Sequence, residues 1–457
     1  MPRPFPRVRR PAPSIAIAIA FALAGAVVAP AARGQGCPCG TAADELRAAE
    51  AGLVREWIVQ VPFDSAAWRL DHVAVGDGLV VAQAGDGSLH AIRSAASATT
   101  GQRAGTVAWS RSIADAAGDA WPPTIGPSLV VVASELAVHA LDRETGIVEW
   151  ERPTGSLTAA SAVQSGTWVY APLRTSRVLR LPANPLGQPA SEPPPSPEGP
   201  TAGRRGAKPA EAPMPPEPLD PIEIESGGAL NAAPSPLGNG VVWSTSNGLV
   251  ALERTPLGWV RHEFPESRPP SWVPQAPMVL AGPPVVRGAA IHIATTDGSL
   301  ARIDLNDPKR PGLRAAWAVR LPDLPSAGPL VGGDVVVVAL GPAGVAAFSA
   351  ADGRELWRSP LVGTLVAAAG GRAWLLDTVG RLTALDLATG SRRQSLCPGC
   401  FRLPVVNTLT ERLVLASPGG LVVSLAPPAS PTPAPAVNAA DAPAAAPAPA
   451  DPDATPP

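Results

Sequence analysis

Leu136 to Trp150 reads LAVHALDRETGIVEW, and nothing else in the chain constrains the fold as much. Val138 and Ala140 fall at a spacing of two, so one face of this stretch can bury while the other faces away. Asp142 opens a turn, because a short carboxylate bonds the backbone N–H groups just ahead of it. Gly146 closes the turn, since glycine takes positive φ without steric cost. Ile147, Val148 and Trp150 begin the return strand. One such hairpin is marginal in water and needs neighbours.

The chain supplies neighbours by repeating the pattern. Gly380 to Gly390 reads GRLTALDLATG, with Asp386 and Gly390 in the places of Asp142 and Gly146. Ala343 to Trp357 reads AGVAAFSAADGRELW. Shorter copies begin at Gly87 (GSLHAI, then Trp109), Gly248 (GLVALE, then Trp259), Gly298 (GSLARID, then Trp317) and Gly420 (GLVVSL). The second strand of each unit is expected after Gly76, Gly126, Gly166, Gly238, Gly288, Gly332, Gly370 and Glu411. The usual separation of about 40 residues fits four strands per unit. Eight starts predict eight units. Seven is the alternative, because Ala159 to Leu181 matches poorly and needs Ile222 to Glu225 as its fourth strand.

These residues resemble the pyrroloquinoline-quinone-type (PQQ-like) β-propeller repeat over most of residues 54–425. The resemblance implies an all-β, eight-bladed propeller of four antiparallel strands per blade. It also implies that Trp57, Trp109, Trp150, Trp317 and Trp357 are structural residues packed between blades, where their large apolar area is useful. The last copy ends at Leu425 without a Trp-bearing return strand. Trp57 to Val61 (WIVQV) is a return strand with no unit before it. Residues 54–62 are therefore expected to complete the last blade and remove the open edge.

The ends and one insertion differ in composition. Arg3, Arg7, Arg9 and Arg10 precede an apolar run from Ser14 to Val28, and small residues near Ala31 and Gly34 offer cleavage sites. Residues 1–36 thus read as an export signal. The run is shorter than the roughly 20 residues of a membrane span. Lipidation of Cys37 is disfavoured, because Gly34 sits where a large aliphatic residue is wanted. Membrane association is expected only through that signal or such a lipid. Residues 37–53 form a cysteine-containing lead-in with a short helix. Many of the 58 prolines gather in 182–221 and 426–457. Both segments are too poor in apolar residues to offset their ordering entropy, and disorder is expected.

Candidate chemistry is sparse. Cys37 and Cys39, with Cys397 and Cys400, read as disulfides in an exported chain, in any of three pairings. Cross-pairing would clamp the ring at its join. A redox pair at Cys397-Pro-Gly-Cys400 or a thiolate zinc site are the alternatives. His90 and His139 share one repeat position and read as packed rings. Trp121, Trp243, Trp272 and Trp374 are irregular, so any of them can face a pocket. Asp-Gly pairs such as Asp86-Gly87 read as hairpin turns before calcium loops. A net charge of −2 gives no electrostatic case for nucleic acid.

Quinoprotein dehydrogenases of the superfamily carry adjacent cysteines and a calcium–quinone site, and no matching residue set can be placed here. In size and compartment the chain is similar to the propeller lipoproteins of the outer-membrane barrel assembly machinery, which are interaction scaffolds. The expectation is an exported, monomeric, non-catalytic scaffold in the periplasm or cell envelope, without a cofactor, meeting a protein partner. A PQQ- and calcium-dependent dehydrogenase and a sugar or small-ligand sensor are the alternatives.

Overall fold

The computed structural model describes residues 49, 52–96, 101, 103–113, 120–184, 220–265, 278–307, 310–396, 399 and 401–428. All four cysteines lie outside them, as do Trp272, residues 1–36, most of the Pro-rich insertion and nearly all of the tail. Ala49 is helical, and by Val54 the chain is already strand.

Seven antiparallel four-stranded sheets and one of three strands follow in chain order. Blade 1 comprises Leu70–Val75, Leu79–Ala84, Ser88–Arg93 and Val107–Ser112. Blade 2 comprises Thr124–Ile125, Leu129–Ala133, Ala137–Asp142 and Val148–Pro153. Blade 3 comprises Val163–Ser165, Trp168–Leu173, Arg177–Pro182 and Ile222–Glu225. The poorly matched unit is therefore a real blade, and it takes its fourth strand from beyond the insertion. Blade 4 runs from Ser235–Leu237 to Gly258–Phe264, and blade 5 from Val285–Arg287 to Arg310–Arg320. Blade 6 runs from Leu330–Gly332 to Glu355–Ser359, and blade 7 from Thr364–Ala369 to Arg392–Leu396.

Blade 8 is completed from the far end of the chain. Val54–Gln60 pairs with Leu421–Ala426, which pairs in turn with Leu413–Ala416. Trp57 faces Ser424, as Trp150 faces Ala140 in blade 2. The first strand of this blade shrinks to one bridge, Leu403 to Ala416. Glu56 bulges out of the closing strand. Its carboxylate accepts two bonds from Arg412 (2.8 and 3.1 Å) and one from Ser424 Oγ (2.8 Å). Charged, two-pronged bonds of this kind are the stronger ones. Glu56→Ala is expected to cost about 1–2 kcal/mol in chemical denaturation.

The core is divided among the seams. Eight clusters of buried side chains each span two neighbouring blades, from blades 1 and 2 around to blades 8 and 1. Val81 and Ala91 of blade 1 meet Val130 and Leu141 of blade 2 in one of them. Central strands are buried on both faces, so they read as runs such as Leu79–Ala84 (LVVAQA) rather than as strict alternation.

A repeated contact locks five seams. The Trp109 indole N–H donates to the Arg143 carbonyl (2.9 Å), just past the third strand of the next blade. Trp150 reaches Ala183 (3.0 Å), Trp317 reaches Ala350 (3.0 Å), Trp357 reaches Leu387 (2.8 Å) and Trp57 reaches Ser94 (3.4 Å). In four of the seams a turn glycine lies flat on the ring. A Cβ at Gly146 would stand 2.4 Å from Trp109, and one at Gly390 would stand 2.4 Å from Trp357. The Asp142 carboxylate shapes such a turn by accepting from the Thr145 N–H (2.8 Å) and hydroxyl (2.6 Å), and Asp386 does the same with Thr389. The Arg393 guanidinium holds the Asp386 carboxyl below the usual carboxylate range.

Candidate interaction face

Antiparallel blades divide the loops between two faces. Turns joining first to second and third to fourth strands lie on one face. Second-to-third hairpins and blade-to-blade crossovers lie on the other. Val54 stands opposite Ala426. Gly52 packs on Arg372 and Gly370 on Pro427, at the first turn of blade 7. The propeller's two ends therefore leave on the first face.

That first face is spanned at the axis. Between Leu403 and Leu413 the chain folds inward, and Asn407 bonds the Val366 carbonyl of blade 7 (2.8 Å). Arg287 of blade 5 donates to the carbonyls of Thr408 and of Val331 in blade 6. One loop thus ties blades 5, 6, 7 and 8 together across the opening.

On the other face no described segment crosses the axis. A cavity of about 820 Å³ lies at its axis, lined by the inner segments of blades 1 to 5. Small residues make the room: Ala159, Ala160, Ala232, Ala233, Ala281 and Gly282. Trp121 forms part of the wall, and its indole N–H donates to Thr158 Oγ1 (2.9 Å), which donates to the Ser134 carbonyl (2.8 Å). Glu135 and Arg174 stand exposed at the mouth. Around it, exposed apolar side chains sit on crossovers and hairpins: Trp68, Leu136, Leu157, Leu324, Val362 and Val379. The first face carries Ile147, Leu257, Val406 and Leu409.

The remaining irregular tryptophans are elsewhere. Trp243 and Trp374 are fully buried in seams. His90 and His139 are buried on third strands, and His90 bridges Ser88 Oγ (3.0 Å) and Ser110 Oγ (2.8 Å). Among the described residues no three His, Cys, Asp or Glu side chains gather as a metal site. Calcium takes roughly six to eight oxygen ligands, whereas Glu135 is the one carboxylate lining this cavity among the described residues.

Buried histidines make the fold acid-sensitive. Burial, with Arg302 alongside, pushes the His292 pKa down to about 4. Burial also lowers His90 and His72. The unfolded chain titrates near 6.5, so between those values it binds more protons than the native state, and stability falls as pH falls. Going from pH 7 to 4.5 is expected to cost roughly 2–3 kcal/mol through His292. Denaturation curves of His292→Leu should show a flatter pH dependence.

A family model described as outer membrane protein assembly factor BamB matches residues 312–425. The chain is an eight-bladed propeller, and from the last strand of blade 5 through blade 8 it matches that family model. Among solved structures it resembles BamB from Moraxella catarrhalis, at 18% identity and a TM-score of 0.55, covering 81% of this chain and 97% of that one. It is also similar to the computationally designed Ika8 protein (13% identity, TM-score 0.54, 80% and 98% covered). Sqt1 of Saccharomyces cerevisiae matches at 10% identity with a TM-score of 0.51, covering 81% and 98%. At these identities the likeness concerns the fold. No protein of curated function matches the sequence.

Proposed function

We propose that this protein is an exported, non-catalytic scaffold that binds a protein partner in the cell envelope, in outer-membrane protein assembly. Its working face is the one opposite the propeller's two ends. The observation that carries this is the set of exposed apolar side chains around the axial cavity, on loops that no described segment covers. Apolar patches of this kind mark interaction sites. The BamB family match from the last strand of blade 5 through blade 8 and the arginine-led apolar segment in residues 1–36 support the envelope setting. The protein acts as a monomer without a cofactor, and the cysteines form disulfides.

A photocrosslinking residue placed at Val362 or Leu136 is expected to capture one discrete partner in envelope preparations. The same residue at Leu257, on the first face, should not. Equal capture from both faces, or from neither, contradicts the assignment. The cavity favours a second reading, a small ligand held beside Trp121. Quenching of tryptophan fluorescence by a sugar panel, abolished in Trp121→Phe, would select it.

A further inference from the structure

The seam between blades 3 and 4 lacks the tryptophan lock, because the outer strand Ile222–Glu225 carries no Trp. Arg180 fills it instead. Its guanidinium lies between two indoles, 4.2 Å from the Trp168 ring centre and 4.7 Å from that of Trp259. Arg180 is 6% exposed. Arg254 stands at 5.5 Å on the Trp259 ring and adds a second cation. Among the described residues no carboxylate pairs with Arg180, which is unusual, since buried charges are paired.

The repeat explains this difference in chemical terms. Arg302 occupies the same register position in blade 5, and Asp304, the turn aspartate of that repeat, binds it at 2.7 and 3.2 Å. In blade 3 that aspartate is replaced by Pro182, opposite Trp168. Among the described residues, Arg180 Nε and the Trp259 Nε1–H are buried without a hydrogen-bond partner, and the Tyr170 hydroxyl lies beside the Arg180 guanidinium. Burial raises the Tyr170 pKa to about 12, so that hydroxyl keeps its proton and remains a donor. The Arg180 guanidinium, the Tyr170 hydroxyl and the Trp259 N–H thus gather three donor groups, with no carboxylate among the described residues to receive them. The outer strand of blade 3 stops opposite Arg180, and Trp259 is half-buried at the rim, so the site lies near the surface.

We propose that this seam binds a compact oxyanion, a carboxylate or a tetrahedral anion, in the place that the repeat's aspartate holds in blade 5. Arg180 supplies the charge, and Tyr170 and Trp259 supply neutral donors. Anything that binds only the native state raises its stability in a saturable way. The full chain is titrated with sulfate, and separately with formate, at constant ionic strength set by chloride, and melting is followed. A saturating rise is expected, from sulfate for a tetrahedral site or from formate for a carboxylate site. The half-saturation concentration should rise roughly tenfold or more in Arg180→Met. Trp259→Phe keeps an aromatic face and removes the N–H, and should weaken binding roughly fivefold. It also serves as the readout if Arg180→Met does not fold. No saturating component with either anion, or unchanged midpoints in both variants, overturns the proposal and leaves Arg180 a packing role only.

Discussion

Gly390→Ala is expected to destabilise the propeller by about 2–5 kcal/mol, while Gly166→Ala costs only about 1–2 kcal/mol. Both glycines have positive φ, +68° and +56°. Alanine pays the same backbone strain at each. Only at Gly390 does the new methyl meet something: Trp357 Cδ2 at 2.4 Å, whereas nothing lies within 4 Å at Gly166. The ring of Trp357 is held in place by its own bond to Leu387 and by burial, so it cannot retreat cheaply. The difference between the two variants thus isolates the seam contact from the turn conformation. Chemical denaturation measures both, and equal losses would mean that the glycine is required by the turn alone.

Trp57→Ala should be the most damaging single change, at about 3–5 kcal/mol. Trp57 is buried against Gly105 of blade 1 and donates to Ser94 across the seam. Its strand is also the only outer cover of blade 8 among the described residues. Losing the indole therefore empties a seam and loosens the closure together. Trp57→Phe keeps most of the apolar area and forfeits one hydrogen bond, so about 1 kcal/mol is expected. If Trp57→Ala cost no more than Trp57→Phe, the residue would not be packing the joint between first and last blades.

Much of this was legible in the sequence because the repeat writes the same physics several times. Asp142-to-Gly146 and Asp386-to-Gly390 announce turns through residue types that few other conformations need. The unpaired Trp57 strand and the truncated last copy point to one another. Blade 3 was the hardest to read, since Ile222–Glu225 is separated from its sheet by the insertion and is short and half polar.

Other features depend on tertiary placement. The axial cavity arises from small residues such as Ala160, Ala232 and Gly282, which carry no signal individually. The loop through Asn407 and Thr408 looks like an ordinary connection until Arg287 is found on its far side. Arg180 did leave a trace. It stands where Ala140 and Ala384 stand in other copies, followed by Pro182 in place of Asp142. A misplaced arginine in a repeat is readable, but the two indoles that enclose it come from different blades.

Ring closure by the N-terminal strand decides the blade count, the face at which the ends leave and the freedom of the opposite face. Amide hydrogen exchange across Leu421 to Ala426 tests it most directly, in the full chain and in one lacking residues 1–62. Closure predicts strong protection of this segment in the full chain and fast exchange at the amides facing residues 54–60 in the shortened one. Equal protection in both would show that another segment, or none, covers that strand, and the account would fail there.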